Sequence, residues 1–225
     1  MSSQFIAEAL ESRRLLSASG STGVFDSAVT LDREHIQAEL LKFKSDCVTA
    51  TATMLADVAA IKTDDPGQAS TVAPLVLHLR SDVRAMNLAL AADRLAESKA
   101  ALADESVIAG DLLQMVHDRG NKSAETTDRA KLKTDRIQLQ NDLIAGLNSR
   151  IATREADYTT IGNDEQAITS AVESDPHAST KLQADVAKWA SDKTTNMNTL
   201  LADLQKIASD REQLVTDLTA SQSMT

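Results

Sequence analysis

Aromatic residues are nearly missing from this chain: one Trp, one Tyr and three Phe among 225 residues. A core without rings is filled by Leu, Ile, Val, Met and Ala, which suits closely spaced helices and fits a β-sandwich poorly. Glycine and proline are scarce too, at seven and three. Turns tend to use one or the other, so the breaks are few and the elements long. The single cysteine, Cys47, cannot close a disulfide within the chain. Its place in an apolar stripe predicts a small, buried core residue. No apolar run approaches the length that spans a bilayer. Positive charge is in deficit, with 23 Lys and Arg against 33 Asp and Glu and a net charge of −10. Nucleic-acid binding depends on cations that displace counterions from phosphate, and anionic membrane surfaces select for the same sign. Neither is an expected partner.

Motifs of catalysis are missing as well. None of His35, His78, His117 and His177 follows a Glu by three positions, as the ligands of a di-iron bundle do. His-Glu-x-x-His and a Gly-rich phosphate loop are absent. Ser19-Gly20-Ser21-Thr22-Gly23 looks like a nucleophile elbow only superficially and reads as a linker. The expectation is a protein without catalytic, cofactor or metal residues, its histidines serving at the surface or at helix ends.

What the chain does have is helical periodicity. Ile36, Leu40, Phe43, Cys47, Ala50, Met54 and Val58 step by three and four, which keeps one stripe facing a partner helix. Thr63 to Gly67 ends that helix. Val72, Val76, Leu79, Val83, Met86 and Leu90 continue the same spacing in a second helix. Asp93 and Glu97 then stand where apolar residues are due, and the pattern reads as resuming in a shifted phase through Leu95, Leu102, Ile108, Leu112 and Met115. Gly120 suits a left-handed C-cap. A third helix runs from near Ser123 through Gly162 without a break. Asp175 and Pro176 signal the start of a fourth. Trp189 is the expected anchor of a core layer, and Val83, Ile144, Ile151 and Leu204 belong to the packed seam. The polar positions Asp93, Glu97, Gln140, Arg154, Glu165, Lys193 and Arg211 are expected to turn outward as the stripes drift.

The fold class that follows is all-α: an elongated antiparallel bundle, or coiled coil, of about four long helices spanning roughly 27–62, 70–118, 123–173 and 177–219. Residues 1–25 form a targeting-like segment and flexible linker, 26–220 the bundle, and 221–225 a disordered tail.

The segment Ala9-Leu10-Glu11-Ser12-Arg13-Arg14-Leu15-Leu16-Ser17-Ala18 resembles the Leu-Glu-Pro-Arg-x-Leu-Leu motif near the N-termini of many planctomycete proteins. Leu10, Glu11, Arg13, Leu15 and Leu16 match, and Ser12 stands in place of the proline. The resemblance implies export or placement at the cell envelope. Together these features point to a non-catalytic structural or interaction bundle that binds protein partners, or itself, through helical faces. The alternatives are a cytoplasmic helical scaffold or regulator and a bundle that holds a small ligand or metal.

Overall fold

The computed structural model describes residues 27–64 and 69–220. The Leu10, Glu11, Arg13, Leu15 and Leu16 motif, the linker after it, the turn residues Asp65 to Gly67 and the tail 221–225 lie outside the described residues. The described residues form an all-α bundle of four long helices: α1 (Ser27–Asp64), α2 (Ala69–His117), α3 (Lys122–Glu173) and α4 (Thr180–Ala220).

Local chemistry sets their ends. Gly120 takes a φ of +99° at the turn after α2, the conformation that glycine adopts without strain. Asn121 then caps α3, its Oδ1 accepting from the Ala124 amide at 3.3 Å, while Glu125 reaches back to accept from the Gly120 amide at 2.7 Å. α3 passes through Gly162 unbroken, as its unchanged phase predicts. α4 begins later than the Asp175-Pro176 signal implies. Asp175 caps a separate turn by accepting from the His177 amide at 2.8 Å, and Ser179 caps the helix by accepting from the Leu182 amide at 3.0 Å.

The chain forms two compact units, and every helix contributes to both. One comprises Met1–Leu40, Arg94–Asn148 and Lys206–Thr225. Val29 and Ile36 of α1 pack there on Leu214 and Leu218 of α4, with Leu40 and Ile137 against them. The other comprises Leu41–Asp93 and Ser149–Gln205. Its core joins Leu79, Ile161, Ile168, Val172, Leu182, Val186 and Trp189, so Trp189 anchors a layer as expected. In this unit Lys181 meets Asp64 at 2.6 Å, Lys188 meets Asp57 at 2.6 Å, and Lys42 meets Asp203. Partners that descend α1 as they ascend α4 make this pair antiparallel.

Three expectations are overturned. α2 does not change phase at Asp93. Leu95 and Leu102 are 57% and 63% exposed and Leu112 is 38% exposed. The inward row instead continues from Leu90 through Glu97, Ala101, Asp104, Ile108, Asp111, Met115 and Asp118. Burial follows the unbroken three-four step, and aspartates occupy places on the inward row. On α1, Val58 is exposed while its neighbour Asp57 is buried, because Asp57 is the one that Lys188 reaches. Cys47 is half-buried and does not belong to the closed core.

Candidate functional site

Polar residues do not leave the seams. Gln140, Arg154, Glu165 and Arg211 are all buried, which corrects the outward placement expected for them. Arg211, only 1% exposed, donates to the Gln140 side-chain oxygen at 2.9 Å. Arg154 donates to the Tyr158 hydroxyl at 3.0 Å and stacks over the Phe43 ring. Lys193 sits over Trp189 and pairs with Glu165 at 2.6 Å. Burial pushes the Glu165 carboxyl up, and Lys193 pulls it partly back. Such groups are tolerated inside a bundle because each meets an opposite charge or a hydrogen-bond partner.

The second recurring arrangement is carboxyl facing carboxyl. On α2, Asp104, Asp111 and Asp118 stand seven residues apart. Opposite them on α3 are Asp142, Asp135 and Asp128, also seven apart and running the other way. Burial, then the charge of Asp142, raises the Asp104 carboxyl. Burial, then Asp118, raises Asp128. In the middle pair Asp111 raises Asp135, whereas Asp111 itself is lowered by Asp135 and by Lys131 at 2.5 Å. The α1 and α4 helices repeat the device with Asp32 and Asp217, Asp46 and Asp203, and Asp64 and Asp185. Two carboxylates this close cannot both ionise without cost.

His78 lies between Asp82 of its own helix and Asp164 of α3. Its Nδ1 is 3.0 Å from Asp164 and 3.7 Å from Asp82, and the three ligand atoms lie within 4.8 Å of one another. The ring is 66% exposed and serves as a surface ion-pair partner once protonated. The same three side chains have donor atoms suited to a divalent cation.

The outer surface is uneven. Among the described residues, every large hydrophobic side chain left exposed lies on α1 or α2 and none on α3 or α4. Leu41, Val48 and Leu55 recur at seven-residue steps on α1, and Leu88, Leu95 and Leu102 do so on α2. The apolar pattern alone places Leu95 and Leu102 in the interior, which hides the α2 row. The signal that would have found them is the seven-residue recurrence of aspartate, which marks the inward row on α2. No known protein family, curated protein or solved structure matches this chain.

Proposed function

We propose that this protein is a non-catalytic interaction bundle that associates with a second copy of itself through the outer faces of α1 and α2. One observation carries this reading: the exposed apolar rows on those two helices share a seven-residue step, and the described parts of α3 and α4 expose no comparable residue. Heptad rows are what helices use to pack on helices. The chain carries both halves of such a contact, since an α1 row on one copy matches the step of an α2 row on another. Exposed apolar residues in contiguous rows mark interaction surfaces more often than scattered ones do. The N-terminal resemblance adds a compartment to the proposal: export to the cell envelope or exterior.

The experiment is light scattering on purified wild type beside a variant with Val48→Lys and Leu95→Lys. Both positions are exposed, so the fold should tolerate the changes within about 0.5 kcal/mol. The expected result is an oligomer for the wild type and a monomer for the variant at equal concentration. A wild type that stays monomeric at high concentration removes the proposal. N-terminal mapping of the native protein in separated cell fractions tests the compartment independently.

A further inference from the structure

Beside Trp189 the second unit holds an open groove of about 440 Å³, within the ~300–1,000 Å³ range usual for small-ligand sites. Met54 of α1, Leu79 and Val83 of α2 and Trp189 of α4 supply an apolar lining. Arg80 and Arg84, one helical turn apart on α2, stand on its rim. Four lysines of this unit are already paired. Lys42, Lys181, Lys188 and Lys193 each meet a carboxylate. Arg80 and Arg84 meet none among the described residues, in a chain with ten more acidic than basic groups. Lys193 also lines the groove, but Glu165 at 2.6 Å already neutralises it. The groove therefore carries a local excess of two positive charges beside an apolar surface. Guanidinium groups form paired, charge-assisted hydrogen bonds with carboxylates.

We infer that this groove binds a small amphiphile with an alkyl body and a carboxylate head, the alkyl chain lying along Leu79, Val83 and Trp189 and the head between Arg80 and Arg84. The inference stands on Arg80, Arg84 and Trp189 and does not depend on self-association, although Leu88 of the α2 row also lines the groove.

Trp189 is the only tryptophan in the chain, so its fluorescence reports the groove directly. The full-length protein is titrated with decanoate below its micelle-forming concentration, with decanol as the uncharged control. A variant carrying Arg80→Gln and Arg84→Gln is titrated in parallel. Both arginines are exposed, and circular dichroism with thermal melting confirms that the variant is folded. The expected result is a saturable fluorescence change with decanoate and a rise in melting temperature, since a ligand of the folded state stabilises it. Binding should weaken by about tenfold or more with decanol and in the double variant, through loss of the charge-assisted contacts. Three results would overturn the inference: no saturable change, equal affinity for decanol or for the double variant, or a fall in melting temperature that marks detergent-like unfolding.

Discussion

Asp104 of α2 faces Asp142 of α3 across the helix pair, and burial together with the Asp142 charge raises the Asp104 carboxyl above its ordinary value. One buried carboxyl oxygen of Asp104 accepts no hydrogen bond. Asp104→Asn removes a charge, supplies an N–H donor and keeps the shape. It should stabilise the protein at neutral pH by about 0.5–1.5 kcal/mol. Urea midpoints of the two proteins at pH 7 measure this, and a destabilised variant would mean that the pair is not opposed as described.

The same pairs set a pH dependence. Asp32, Asp104, Asp128, Asp135, Glu165, Asp185 and Asp203 are raised above their ordinary values. A raised carboxyl contributes stability that is complete below its unfolded pKa and lost as pH rises through its folded one. Asp46, Asp64 and Asp111 are lowered, chiefly by Lys42, Lys181 and Asp135 respectively, and their contribution is lost only as pH falls through the folded value. Stability should therefore rise as pH drops from 7 toward about 4.5, then fall below the ordinary carboxylate range near 4. Thermal midpoints across pH 3–8 check this. A steady decline from pH 7 downward contradicts it.

Close helix approach gives a third prediction. A Cβ at Gly146 of α3 would lie 2.7 Å from Glu97 Cβ and 2.6 Å from its Cγ. A Cβ cannot swing away, so α2 and α3 must shift, and Gly146→Ala should cost about 1–3 kcal/mol. Gly110 and Gly162 lie inside helices with nothing within 4 Å of an added Cβ. Alanine at either should stabilise by up to about 1 kcal/mol. Chemical denaturation of the three single variants distinguishes a crowded helix contact from open helix surface.

Glu165 and Lys193 test what a buried pair contributes. Glu165→Gln leaves the Lys193 ammonium, only 14% exposed, without its anion. It should cost about 3–5 kcal/mol. Replacing both, with Glu165→Leu and Lys193→Met, should cost far less, because no buried charge is left alone. A double-mutant cycle in urea reads the difference.

How far these features were legible in the sequence follows from the type of residue carrying the periodicity. α3 was readable because Leu147, Ile151, Ile161, Ile168 and Val172 keep one phase around Gly162, and all five are buried. α2 is not legible from its apolar residues beyond Leu90. Its inward row there is held by Glu97, Asp104 and Asp111, so a rule that seeks apolar residues at the core follows the leucines to the wrong face. Opposed acids were invisible for a related reason: each Asp looks like a solvated residue until the facing helix places another beside it. The groove could not be foreseen, since Met54, Arg80 and Trp189 come from three helices whose packing order the sequence does not state.

Self-association through α1 and α2 is best tested with a photo-reactive benzoylphenylalanine in place of Leu95, and a control probe in place of Thr159, which is exposed on α3. Light and heavy isotope-labelled copies are mixed, irradiated and digested, and the cross-linked peptides identified by mass. The proposed association requires mixed-isotope products from the Leu95 probe that end on α1 or α2 of the other copy, with few or none from Thr159. Products confined to single copies, or equal yields from both probes, would contradict it.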